Sequence, residues 1–340
     1  MKRLITIFLT VALFLGNSLA QERRTTKTGT TVGQFLKIGV HARSLGMGEA
    51  SVANVSDLGA IHWNPAGLAR YNVQEVVFSQ MPWFAGIDLF HFAGSMNFGN
   101  IGVLGLQITS LDYGETDVTT ARQEMGTGER YSAQDLSLGL AYSRNLTTSF
   151  SIGAQVKLVY HQIWNMSAST MAFDIGALFL TPIKGVRFGM SITNFGGKMK
   201  MAGRNSRFFT DPEPLLEGNN DQIPATYELS YWAIPLTFRV GLAGDAINTS
   251  MLKLSWALDA LHPSDNSEYI DAGTELQVAN RFSLRGGYRT LFVQDQVGGL
   301  SMGGGLSHAF SPALQIRIDY AWVDYGWLGD TSMFSFTVTY

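Results

Sequence analysis

The side chains best equipped for chemistry in this chain are ionisable groups on the polar side of alternating segments. They are Lys157, Asp174, Arg187, Arg239, Lys253, Asp259, Asp271, Glu275, Arg285, Arg289, Arg317 and Asp319. Opposite charges on neighbouring strands lie within reach of each other. An unpaired buried charge is costly. The leading expectation is therefore a closed polar interior, in which these groups pair with one another and with Arg43 and Glu49. Such an interior would also resist leakage of solutes. The competing expectation is a charged pathway for a polar solute.

Catalytic chemistry finds no foothold. There is no phosphate-binding Gly-x-x-x-x-Gly-Lys-Ser/Thr loop, no His-Glu-x-x-His and no Gly-x-Ser-x-Gly elbow. Gly46-Met47-Gly48 lacks the preceding apolar strand and the following glycine of a dinucleotide site. The histidines (His41, His62, His91, His161, His262, His308) show no metal-ligand spacing. Asn145-Leu146-Thr147 and Asn165-Met166-Ser167 match glycosylation acceptors only by accident if the chain belongs to a bacterial outer membrane. No enzyme, cofactor or metal is expected.

The elements that must carry these charges are strands. From about residue 71 onward the apolar period is two. Phe334, Phe336, Val338 and Tyr340 share one face, and Ser335, Thr337 and Thr339 the other. Leu314, Ile316, Ile318, Tyr320 and Trp322 face away from Gln315, Arg317 and Asp319. An apolar face unbroken beside a charged one fits lipid outside and a polar lumen inside. A soluble sandwich would instead hide its apolar face behind a second sheet. About fourteen such segments occur, between 72–81 and 331–340, so the expected fold is an all-β, transmembrane antiparallel barrel. Short connections (near 99–100, 145–147, 182–184, 280–281 and 311–312) alternate with longer ones (111–132, 164–168, 196–232, 262–267 and 292–298). Short turns at the periplasmic end and long loops at the outer end are the usual arrangement. Trp83, Phe84, Trp164, Trp232, Trp322, Tyr325 and Trp327 lie near strand ends beside the long loops. They read as an aromatic girdle or, alternatively, as part of a ligand vestibule.

Composition agrees. The 340 residues are only 15% charged, yet 12% are aromatic and 37 are glycine. No apolar run after the N-terminus approaches the ~20 residues of a membrane helix. A net charge of −3 argues against a nucleic-acid partner. The absence of cysteine excludes a disulfide scaffold and a lipid-anchored cysteine. Residues 1–20 read as a signal peptide: Lys2 and Arg3, an apolar core, then Ser18-Leu19-Ala20 before Gln21. Residues 21–70 read as a periplasmic lead-in followed by an irregular, glycine-punctuated piece with a short helix near 50–58, and residues 71–340 as the barrel. This piece, placed before the strands, is expected to fill the lumen from the periplasmic end.

Two motifs in it carry a resemblance. Ala42-Arg43-Ser44-Leu45-Gly46-Met47-Gly48 and Trp63-Asn64-Pro65-Ala66-Gly67-Leu68 resemble the N-terminal signature of the PorV/PorQ family of FadL-like outer-membrane barrels. The resemblance is close over residues 34–70. It implies a hatch in the lumen, with Arg43, Gly46, Gly48, Trp63, Asn64, Pro65, Ala66 and Gly67 as its motif. The FadL side implies passive uptake or binding of hydrophobic small molecules. The PorV/PorQ side implies an accessory of type IX secretion that holds cargo or partner proteins. Phe334, Phe336, Val338 and Tyr340 resemble the C-terminal signal read by the outer-membrane assembly machinery. The implied partners are that machinery, outer-membrane lipid and lipopolysaccharide, and either hydrophobic solutes or secreted proteins.

Overall fold

The computed structural model describes residues 27–340, except 56, 72–73, 184, 214, 216–221, 294–296 and 312–313. The expected signal segment and its expected cleavage site lie outside the described residues.

Fourteen antiparallel strands close into one barrel. They are β1 (Glu75–Pro82), β2 (Asp88–Asn97), β3 (Val103–Asp117), β4 (Arg130–Asn145), β5 (Phe150–Ile163), β6 (Met166–Leu180) and β7 (Val186–Gly196). They continue with β8 (Thr237–Asn248), β9 (Leu252–Pro263), β10 (Tyr269–Val278), β11 (Phe282–Leu291), β12 (Leu300–Ser311), β13 (Leu314–Asp324) and β14 (Asp330–Thr339). Each strand pairs with its sequence neighbour, and β14 returns to β1 with Phe336 opposite Phe78. The Tyr340 N–H then donates to the Gln74 carbonyl at 3.0 Å and finishes the seam. Closure leaves no edge strand, which a lipid environment requires because nothing there can satisfy a free backbone edge.

The period-two pattern fixes the faces. In β14, Thr331, Met333, Ser335 and Thr337 are buried inward, while Phe334 and Phe336 are exposed on the outer wall. In β13, Ile318 and Tyr320 point out, and Asp319, Ala321 and Val323 point in. Phe78, Phe92, Leu106, Leu140, Ile175 and Leu284 continue the exposed apolar wall around the barrel. Exposed apolar residues on this scale mark a surface that meets lipid rather than water.

The boundaries differ from the sequence reading in informative places. β3 and β4 run further than residues 110 and 133, because Asp117 opposite Arg130 and Glu115 opposite Ser132 extend the ladder beyond the apolar stretch. The expected 164–168 loop is a two-residue turn, Trp164-Asn165, with Trp164 at φ 51°. The 196–232 connection is partly ordered: Arg207–Thr210 pairs with Ile223–Thr226, and Lys198–Met199 with Trp232–Ala233. No helix covers residues 50–58 among those described. The short helices are α1 (Ala42–Gly46), α2 (Ala60–Trp63) and α3 (Gly67–Tyr71).

Residues 32–71, the inner segment, lie within the barrel and are largely buried. Its start is at the long-loop end, where the Val32 N–H donates to the Ala233 carbonyl at 2.9 Å. It then crosses β12–β14 at α1, β10 and β11 at Met47-Gly48, and β7 at Val52. It ends against the β4–β5 turn, where Arg70 reaches Ser151 Oγ at 2.6 Å and the Thr148 carbonyl at 2.7 Å. The lead-in was expected at the short-turn end. Its described residues, 27–31, lie at the opposite end, because the chain threads the lumen from the loops downward before β1 begins.

Candidate functional site

The inner segment is seated by charge at mid-lumen. Arg43 on α1 meets Glu275 of β10 at 2.7 Å and Asp57 at 3.2 Å. Arg285 of β11 meets Glu275 and, from β13, Asp319, both at 2.7 Å. Arg317 contacts Asp319 at 2.8 Å, Glu75 of β1 at 3.5 Å and Asp57 at 3.7 Å. This hub joins four strands to two points of the inner segment. Removing one member of such a buried set leaves an opposite charge uncompensated, at about 3–5 kcal/mol.

The other inward charges form smaller groups. Lys157 meets Asp174 at 2.8 Å and also bonds Asn194 Oδ1. Arg187 and Lys253 share Asp245 at 3.3 and 3.8 Å. Arg289 reaches Glu49 of the inner segment at 3.1 Å. Arg239, Asp259 and Asp271 behave differently, with no ion pair within 4.0 Å among the described residues. Arg239 donates to Thr193 Oγ1 at 2.9 Å and lies over the Trp63 ring, 5.1 Å from its centroid. Asp259 accepts the Val52 N–H at 2.8 Å, and Asp271 the Thr290 N–H at 2.7 Å.

The two N-terminal motifs make the closest backbone approaches. Asn64 is fully buried, and its amide donates to the carbonyls of Val52 at 2.9 Å and Ala177 at 3.0 Å. Its Oδ1 accepts the Ala66 N–H at 3.2 Å, holding the turn through Pro65. A Cβ on Gly176 of the wall would stand 2.0 Å from Asn64 Oδ1. Cβ atoms on Gly273 and Gly287 would stand 2.1 and 2.2 Å from Met47 O and Gly48 N. A Cβ on Gly46 would stand 3.0 Å from Gly303 Cα, and one on Gly67 would strike the Val55 side chain at 2.5 Å. Inward wall glycines thus form the bed for the inner segment. Their parity with inward charges on the same strands was the signal available.

A second site lies at the long-loop end. A cavity of about 1060 Å³ opens between the upper ends of β3–β6 and residues 32–35. Phe35, Ile163, Trp164, Met166, Met199 and Trp232 give it an apolar lining. Trp164 and Trp232 therefore line this cavity. Trp83, Phe84 and Tyr325 instead form a ring cluster elsewhere on the rim, with centroids 4.8–5.4 Å apart. Beneath the cavity the upper lumen stays apolar, with Leu36, Leu89, Leu111 and Val159 in one core cluster. The stretch of the inner segment beside the cavity is pinned by Asp265 from the β9–β10 loop. This carboxylate accepts from Thr31 Oγ1 at 2.7 Å, Gln34 Nε2 at 2.7 Å and Lys37 Nζ at 3.0 Å. Burial alone would raise its pKa, but the bonds from Gln34, Thr31 and Lys37 outweigh burial and hold it below the ordinary aspartate range. Neither this loop carboxylate nor the Asp135–His161 pair in the cavity was singled out from sequence.

Neither a protein-family model nor a curated protein sequence matches the chain. Solved structures do. The toluene transporter TodX of Pseudomonas putida aligns with a TM-score of 0.52 at 13% identity, over 89% of this chain and 98% of that one. The toluene transporter TbuX of Ralstonia pickettii gives 0.52 at 12% identity, over 89% and 97%. The monoaromatic hydrocarbon channel CymD gives 0.52 at 11%, over 88% and 96%. The likeness is one of fold. This chain has the closed antiparallel barrel fold of TodX and TbuX. Its inner segment and its cavity are built from its own residues on that frame.

Proposed function

We propose that this barrel takes up hydrophobic small molecules passively, receiving them in the cavity at the long-loop end. The observation carrying the reading is that cavity: about 1060 Å³, lined mainly by aromatic and aliphatic side chains, and adjoining an apolar upper lumen. Ligand cavities are of this size and character. Structural neighbours described as toluene transporters and a monoaromatic hydrocarbon channel support the same reading. The inner segment acts as a hatch, and its two motifs support placing the chain with the PorV/PorQ group within the FadL-like barrels. No observation on this barrel favours the secretion-accessory reading over solute uptake.

The test fills the cavity. Ala133 lines it from β4, so Ala133→Trp should occupy the space without touching the charged hub. Uptake of toluene into proteoliposomes should fall severalfold or more, while folded protein is recovered at the level of the unaltered chain. Uptake at the same rate in both forms would count against the cavity as the entry site.

A further inference from the structure

The cavity lining is mainly apolar, and one polar cluster in it is centred on Asp135. There the Tyr113 hydroxyl donates to Asp135 Oδ2 at 2.8 Å, and His161 Nδ1 bonds Asp135 Oδ1. A carboxylate only accepts, so His161 carries its proton on Nδ1. Its other nitrogen, Nε2, is buried and has no hydrogen-bond partner. It lies beside Gly33, where a Cβ would come within 3.5 Å of it, and Gly33 holds a left-handed backbone (φ 71°) that resists a larger residue. The Phe35 ring meets the same imidazole edge-on at 5.5 Å. One unsatisfied polar atom is thus kept at the margin of a large apolar space.

We propose that the cavity selects uncharged solutes that carry a hydroxyl on an apolar body. The inference rests on the uptake reading above and names its substrate class. A hydroxyl both donates and accepts, so it satisfies Nε2 whether the imidazole is neutral or protonated. A pure hydrocarbon leaves Nε2 unpaired in an apolar setting, which is unfavourable. A carboxylate head meets the opposite difficulty. Among the described residues lining the cavity there is no lysine or arginine, whereas Asp117 and Asp135 are both present. Asp135 already accepts from Tyr113 and His161, and it fixes which His161 nitrogen is left for the solute. Asp135 is therefore a positioning residue, and His161 the contact.

The experiment uses the purified full barrel and a matched set of probes: para-butylphenol, butylbenzene and para-butylbenzoate. Binding is read from the fluorescence of Trp164 and Trp232 in the cavity wall. The phenol should bind about tenfold more tightly than butylbenzene, the gain from one added hydrogen bond. The benzoate should be the weakest. His161→Phe should bring the phenol down to the affinity of butylbenzene and leave butylbenzene unchanged. Asp135→Asn, which keeps the volume but frees the imidazole, should also shrink the preference. Equal binding of phenol and hydrocarbon by the unaltered protein overturns the proposal, and so does tightest binding of the benzoate or a preference that survives His161→Phe. If butylbenzene binds and Ala133→Trp abolishes it, the cavity reading stands even where the hydroxyl preference fails. If none of the probes binds, both fall.

Discussion

A single loop carboxylate shows how local chemistry fixes the course of the inner segment. Asp265 is 2% exposed and collects donors from Thr31, Gln34 and Lys37, so the first turn of that segment cannot lift away without stranding a buried charge. Its pKa in the folded protein is lowered. The stability it contributes is therefore present above the unfolded aspartate value of roughly 4 and is lost as pH falls through the lower folded value. Asp265→Ala should remove amide-exchange protection at Val32, Leu36 and Ile38 at neutral pH and leave the barrel amides unchanged. In the unaltered protein the same protection should persist at pH 5 and weaken only below about pH 4. Protection that weakens between pH 5 and 7 would point to a different titrating group.

Within one element, the alternation of β14 decides what each position tolerates. Phe336 stands outward opposite Phe78 and Ile318, near the middle of its strand. Arginine on the lipid face at the midplane costs ~2–4 kcal/mol. Phe336→Arg should therefore sharply reduce barrel recovered from membranes. The inward control must be chosen with care. Ser335 faces inward but is 1% exposed, and its Oγ bonds the Ala42 N–H at 3.0 Å and Ser79 Oγ at 2.7 Å. An arginine there would collide with the inner segment. Thr339, inward and only partly buried at the short-turn end, is the position that should accept arginine. Equal recovery of Phe336→Arg and Thr339→Arg would refute the assignment of faces.

At the scale of the molecule, strand number sets the problem that the inner segment answers. A barrel of this size lies between eight-stranded forms filled by side chains and sixteen-stranded forms that hold a water channel. Its lumen must be occupied or it conducts. Irregular backbone is tolerated at that depth only where protein or water satisfies its polar groups. Here Ser335, Asp259, Glu75 and Ser143 accept the N–H groups of Ala42, Val52, Leu58 and Ala69. Deleting residues 33–68 should leave a barrel that inserts and remains heat-modifiable on gels, but conducts ions in planar bilayers. The intact chain should conduct little. Equal low conductance in both would mean that the segment does not close the pore.

The sequence by itself determined the barrel. Alternation is a local property of each strand, and lipid on one side and a polar lumen on the other impose it along the whole wall, so the fourteen segments and their faces could be read from residue order. The extended ladder at Asp117 and Arg130 escaped because polar residues outside the bilayer pair without an apolar pattern. Only tertiary structure decided which charges meet. Arg43 and Glu275 are separated by 232 residues, and nothing local distinguishes their contact from the backbone partners taken by Asp259 and Asp271. The same holds for the course of the inner segment. Its residues have no period to read, and its path follows from where wall glycines make room and where Asp265 and Glu275 hold opposite charge. The cavity is tertiary in the same sense, since Phe35, Trp164 and Trp232 become neighbours only when the barrel closes around the chain's beginning.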